Sequence, residues 1–286
     1  MAALQRDGLT LISPAGSETL KVPAVGHPGE AEPAPGDVVV LAMKSQHTEG
    51  AVAELAAAAP EGVAVFCAQN GVDNERMALR LFPDVYGVSV MMPATHLEPG
   101  VVITNSVGRT GLLDLGRYPH GVDTTASAVA EALTGATFAS EARADIMRWK
   151  YRKLLMNLGN AIEAVCGPVG RASELVTLVR DEGVAALAAA GIVAVSSEED
   201  QARRGDLLRM RPVEGRRREG GSSWQSLTRG TGSIEADFLN GEIVLLGRLH
   251  GVPTPANALL QRLANQAAAE GRAPGFLSPE EVLARL

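Results

Sequence analysis

Residues 36–70, GDVVVLAMKSQHTEGAVAELAAAAPEGVAVFCAQN, decide how the chain folds. Val38 to Met43 form an unbroken apolar run between Asp37 and Lys44. Such a run without polar alternation reads as a strand buried on both faces of a parallel sheet. Thr48 to Ala59 is rich in alanine and stops before Pro60 and Gly62, as a crossover helix would. Val63 to Ala68 is a second apolar run, closing on Gln69, Asn70 and Gly71. The order strand, helix, strand implies a right-handed parallel crossover and a doubly wound sheet.

Working outward, Val85–Met92, Val101–Thr104 and Gly111–Leu115 read as further short strands and Asp123–Leu133 as a helix. Upstream, residues 1–35 alternate short apolar runs with turn signals, which predicts a hairpin or two short strands followed by a loop. From Ala144 the period changes. Ile146–Val165, Ser173–Ser196, Ser222–Thr228, Ile234–Leu249 and Asn257–Ala269 carry apolar residues at helical spacing. The expected fold class is therefore α/β: a Rossmann-like parallel-sheet domain over residues 1–140, followed by an all-helical domain over 141–286.

A chain of 286 residues can bury two cores. Its 46% apolar and 21% charged residues are those of an ordinary globular protein, and no apolar run reaches the roughly 18 residues of a membrane span. The net charge of -7 argues against nucleic acid as a partner. Arg216, Arg217 and Arg218, flanked by Glu214 and Glu219, read as a solvated loop or helix end. Cys67 and Cys166, each in an apolar segment, suit a reducing cytoplasm better than a disulfide framework. MAALQRDGL at the start resembles neither a signal peptide nor an anchor. His47, His96 and His250 lack the spacing of a zinc site, so no metal is expected. No glycine-rich phosphate loop is legible, and SVGRTG (Ser106–Gly111) reads as a turn between strands.

Open parallel sheets bind ligands beyond the carboxyl ends of their strands, which here carry Lys44 and Asn70. Singly, each is as readily a surface lysine and a common Asn-Gly turn. On neighbouring strand ends they form a candidate site. In RWKYRKLLMNLGNAIEAV, Lys153, Asn157 and Asn160 stand at i, i+4 and i+7 on one face of an otherwise apolar helix. That row is either a satisfied inter-helix hydrogen-bond network or the wall of a wet cleft in which Lys153 donates a proton. Ser222, Ser223, Ser233 and Glu235 read first as capping and dipole chemistry at two helix starts.

The segments DVVVLAMKSQ, FCAQNGVDNE, RWKYRKLLMNLGNAIEAV, SSWQSLTRGTGSIEADFLNG and GRLHGVPTPAN, in that order, resemble ketopantoate reductases. The resemblance implies a nucleotide-binding domain joined to a helical substrate and dimerisation domain, with the active site between them. It implies reduction of a 2-keto acid by NADPH (an NADP cofactor), 2-dehydropantoate giving pantoate, in a homodimeric cytoplasmic enzyme. Carried over residue by residue, Lys153 is the general acid and Glu235 its catalytic partner. Asn157, Asn160 and Ser223 bind substrate, with Ser223 on the carboxylate, and Lys44 and Asn70 lie on the cofactor side. Lys150 is then a bystander. The chain departs from the family pattern at Ala161 and Gly220, where members often carry asparagine. MAALQRDGLTL resembles the stretch just after the family's opening glycine-rich unit, so the sheet domain is expected to be incomplete by roughly 30 residues, with loss of tight cofactor binding. A non-catalytic relative and a reductase of another 2-keto acid remain as alternatives.

Overall fold

The computed structural model describes residues 1–213 and 220–286, and the basic cluster at 216–218 lies outside the described residues. The chain forms two compact units, residues 1–150 with the described part of 196–219, and residues 151–195 with 220–286.

The first unit opens with α1 (Ala2–Asp7), a helix that the turn signals had not suggested. The expected hairpin follows, β1 (Leu9–Ser13) and β2 (Gly16–Leu20), paired antiparallel from Leu9 against Leu20 to Ser13 against Gly16. Next come β3 (Val38–Leu41), α2 (Thr48–Ala58), β4 (Ala64–Cys67), α3 (Asn74–Leu79) and β5 (Val85–Met91). After them stand β6 (Ala94–Thr95), β7 (Val101–Thr104), β8 (Ser106–Gly108), β9 (Leu112–Arg117) and α4 (Thr124–Gly135). The main sheet has the order β3-β4-β5-β9; its first three strands are parallel and β9 is antiparallel to β5. A second sheet, β2-β1-β7-β6, pairs β1 parallel to β7. SVGRTG, expected to be a turn throughout, is strand β8 over Ser106–Gly108 and turns only at Arg109 and Thr110.

Successive residues of β4 serve two cores. Val65 and Cys67 join Val52, Leu55 and Val85 under α2. Ala64 and Phe66 face Tyr86, Val88, Leu115, Ala126 and Ala130 under α4. A strand covered on both sides needs apolar residues at every position, and each large side chain so buried contributes roughly 1.5–3 kcal/mol. The neighbouring strand β3 does not meet that expectation. Leu41 is buried and Val39 packs against the α2 core, but Val38 and Val40 are 41% and 54% exposed. The cause is position: β3 lies at the edge of the sheet, and α4 covers the face over β4, β5 and β9 only.

Helix α5 (Ile146–Asn157) carries the chain from one unit to the other. The single helix expected from 146 to 165 is two, α5 and α6 (Gly159–Cys166), meeting at Leu158. Leu158 keeps helical angles (φ -58, ψ -30), and its carbonyl accepts from Asn240 Nδ2 at 3.2 Å. The second unit continues with α7 (Leu175–Ala189), and α8 (Ser197–Arg204) then returns to the first unit. Ser196 is therefore the cap of a new helix rather than the end of the previous one. The helical region is also interrupted by β10 (Leu208–Met210), which pairs antiparallel with β8. Helices α9 (Ser222–Thr228), α10 (Asn240–His250), α11 (Pro255–Ala269) and α12 (Pro279–Leu283) complete the second unit. Its core is built on Leu154, Leu158, Ile162, Leu175, Ile243 and Leu260. Asn257 and Glu182 tie α11 to α7: Glu182 accepts from the backbone of Ala256 and Asn257 at 2.8 and 2.9 Å.

Candidate active-site residues

In the first unit, Lys44 follows β3 and Asn70 follows β4, at the carboxyl ends of adjacent parallel strands. Both are half-buried. The two loops are joined by polar side chains that are themselves buried: Ser45, Thr48, Gln69 and Asn74. Gln69 Nε2 donates to Thr48 Oγ1 at 2.7 Å and to the Met43 carbonyl at 3.1 Å. Thr48 Oγ1 in turn donates to Asn74 Oδ1 at 2.8 Å. Asn74 Nδ2 and Ser45 Oγ both donate to the Asn70 carbonyl, at 2.9 and 3.2 Å. These bonds fix the two loops against each other, although the buried Gln69 Oε1 accepts none. They fix the backbone at Asn70 and next to Lys44, residues whose amide and ammonium are donor types that suit phosphate and ribose oxygens.

Beneath the same turn, the Lys150 ammonium pairs with the Glu75 carboxylate, with both side chains out of solvent. Burial pushes the Glu75 carboxyl above its ordinary value, and the Lys150 charge opposes that rise. Burial also raises the Cys67 thiol, with Glu75 adding to the effect, so Cys67 is core rather than nucleophile.

In the second unit, the polar row predicted on one helix is divided by the α5–α6 junction. Lys153 is half-buried and Asn157 buried on α5; Asn160 is buried on α6. Their apolar neighbours Leu154, Leu155, Leu158 and Ile162 are all core. Asn160 belongs to a cluster with Glu163 and Arg171. Glu163 Oε2 accepts from Arg171 Nη2 at 2.6 Å and from the Gly221 backbone N–H at 2.7 Å. Arg171 also reaches Asn160 Oδ1 at 3.4 Å. A Cβ on Gly221 would lie 2.8 Å from Glu163 Oε2 and 3.2 Å from Asn160 Oδ1, so a larger residue would push these side chains aside. The cluster thus brings Asn160 to the start of α9, where Ser223 is buried two residues beyond Gly221.

Capping does not account for the serines. The residue before α9 is Gly221 with no side-chain cap, and the 3-10 turn Glu235–Phe238 follows Ile234, again uncapped. Glu235 itself is buried at the head of that turn. Among the described residues no group of three or more His, Cys, Asp or Glu could hold a metal ion. No helix among them is long and apolar enough to cross a membrane. Glu75, Glu163 and Arg171 were not singled out from the sequence, and Lys150 was set aside. Only Lys150 left a signal, a charge three residues before Lys153 on an apolar helix.

The family model described as ketopantoate reductase PanE/ApbA matches residues 1–119, and its C-terminal counterpart matches residues 145–268. A 2-dehydropantoate 2-reductase of Halobacterium salinarum is 27% identical over 284 residues, covering 95% of this chain and 88% of that protein. The crystal structure of a PanE/ApbA family ketopantoate reductase from Ralstonia eutropha superposes with a TM-score of 0.74 at 26% identity, covering 94% of this chain and 88% of the other. D-mandelate dehydrogenase, in a ternary structure with NADH and anilino(oxo)acetate, shares the fold with a TM-score of 0.78 at 21% identity, over 94% of this chain and 88% of the other. With both of its halves matched in order, the chain belongs to the ketopantoate reductase family.

Proposed function

We propose that this chain reduces a 2-keto acid, 2-dehydropantoate to pantoate in the first instance, with NADPH as hydride donor. The observation that carries the reading is the half-buried Lys153 one helical turn from the buried Asn157 on α5, among the core residues Leu154, Leu155 and Leu158.

When bound, NADPH supplies a hydride to the carbonyl carbon. Lys44 and Asn70 would contact it on the first unit, with weaker binding than a complete glycine-rich phosphate turn would give. Ser223 hydrogen-bonds the substrate carboxylate, and Asn157 and Asn160 orient the polar substituents of the keto acid. Lys153 gives its Nζ proton to the ketone oxygen as that oxygen gains charge, leaving a neutral amine that solvent reprotonates. Glu235 acts as the partner of Lys153, directing its proton. The dimer and the cytoplasmic setting implied by the family belong to this reading; Cys67 and Cys166 are free and buried, which suits a reducing compartment.

The test is loss of NADPH absorbance with 2-dehydropantoate in wild type and Lys153→Ala, together with sedimentation to read the oligomer. Removing a general acid lowers kcat roughly 10²- to 10⁴-fold. Equal rates in the two proteins would sink the assignment, and no turnover by wild type would favour a non-catalytic role.

One observation favours a second substrate. Gly220 has φ +57, and a Cβ there would lie 2.3 Å from the Trp224 ring, so no amide can stand at that position. Ala161 likewise offers none. A keto acid less polar than 2-dehydropantoate would lose nothing at either point, and a panel of aliphatic and aromatic 2-keto acids in the same assay separates the two readings by kcat/KM.

A further inference from the structure

We propose that the buried Lys150–Glu75 pair is a positioning device that shapes the turn between β4 and α3 for the nicotinamide cofactor, which makes Lys150 a functional neighbour of Lys153 rather than a bystander. The inference rests on the reading of Asn70 as a cofactor-side residue.

Withdrawing an ammonium and a carboxylate from water is costly, and apolar side chains of the same volume often serve stability as well or better. Stability alone therefore does not account for the pair. What an apolar pair cannot do is hold backbone. Lys150 Nζ donates to the Gln69 carbonyl at 3.0 Å and lies 3.4 Å from that of Cys67, on either side of Ala68. Its ionic partner Glu75 stands in the first turn of α3, just past the loop. One ammonium thus ties the end of β4, the residue before Asn70 and the head of α3. From the opposite side, Ser45 and Asn74 fix the Asn70 carbonyl.

The fold makes room for this arrangement. A Cβ on Gly87 of β5 would come 3.3 Å from both Lys150 Cδ and Glu75 Oε1, and 3.4 Å from Met147 Sδ. With the turn held before ligand arrives, little ordering is left to oppose binding.

Lys150→Met/Glu75→Met removes both charges while keeping bulk, and is expected to fold. Amide exchange of peptide 67–76 should rise at least about tenfold, with the helices of the second unit unchanged. In the same variant the Kd for NADPH, read by fluorescence titration of the full chain, should rise at least about tenfold, and the KM for the keto acid should stay at its wild-type value. Wild-type exchange in 67–76, or wild-type NADPH affinity despite faster exchange, overturns the proposal. Should the double variant not fold, Gly87→Ala presses on the same pair and is read in the same way. Asn70→Ala tests the underlying reading separately: unchanged NADPH binding there removes the role of Asn70, while exchange in the charge-free variant still decides whether the pair shapes the turn. A wild-type chain that does not bind NADPH sinks the functional reading and this inference with it.

Discussion

Glu163 shows how much can depend on one carboxylate. It is buried, and its Oε2 serves both Arg171 and the Gly221 N–H. Truncation leaves a buried N–H without an acceptor, which costs roughly 1–3 kcal/mol, more where the bond is charge-assisted. Glu163→Ala should therefore lower unfolding stability in urea by about 2–3 kcal/mol. Glu163→Gln, which keeps an acceptor, should lose about half as much. Because Ser223 lies two residues on, KM for the keto acid should rise in the alanine variant and recover in the glutamine variant. The positions of the candidate residues were legible from the sequence: Lys44 and Asn70 follow β3 and β4, and Lys153 and Asn157 lie one turn apart on α5. Partners were not. A helical wheel places Lys150 and Lys153 about 60° apart, but which one is buried depends on Glu75, 75 positions earlier in the chain and brought close only by the sheet.

At the scale of elements, local chemistry decides most boundaries, and α4 illustrates it. Asp123 caps the helix, accepting from Ala126 N–H at 2.8 Å, and also takes hydrogen bonds from Tyr86 Oη at 2.8 Å and Arg117 Nη1 at 2.9 Å. Partial burial acts to raise its pKa, but these donors together with the Arg117 charge hold the carboxyl below its ordinary value. A depressed carboxylate contributes stability that is fully present above the unfolded aspartate range, about 3.9, and is lost as pH falls through the folded value. Asp123→Ala should cost about 1 kcal/mol at neutral pH. Melting curves of wild type and variant should converge as pH falls through the folded value, below the unfolded aspartate range; a gap that persists there would show that the carboxylate charge is not what stabilises the cap. Strand β3 was placed correctly from the sequence, but its burial was misread, for a non-local reason. Its run of valines has the composition of a central strand, but composition carries no record of which strand ends the sheet, so Val38 and Val40 face solvent.

At the scale of the whole molecule, the chain does not pass once from a sheet unit to a helical one. It leaves the first unit after Lys150, returns at Ser196 and departs again before Gly220. Periodicity could not reveal this, since α8 has the same helical pattern whichever unit it joins. What recruits it is Asp114 on β9, a fully buried carboxylate. Arg203 of α8 donates to Asp114 through Nε at 2.8 Å and Nη2 at 2.7 Å. Arg143 Nε donates at 2.7 Å and the Glu141 backbone at 3.0 Å, so both oxygens are filled. A bidentate guanidinium on a dry carboxylate is a specific fastening, and breaking it from one side leaves two arginines without their shared anion. Asp114→Ala should therefore destabilise the first unit by about 3–5 kcal/mol. Exchange should rise first in peptides covering 197–204, because α8 has few other ties, while peptides of α10 and α11 keep their protection. Uniform loss of protection across both units would instead mean that the Asp114 cluster supports the fold as a whole, and that α8 is held to the sheet by packing.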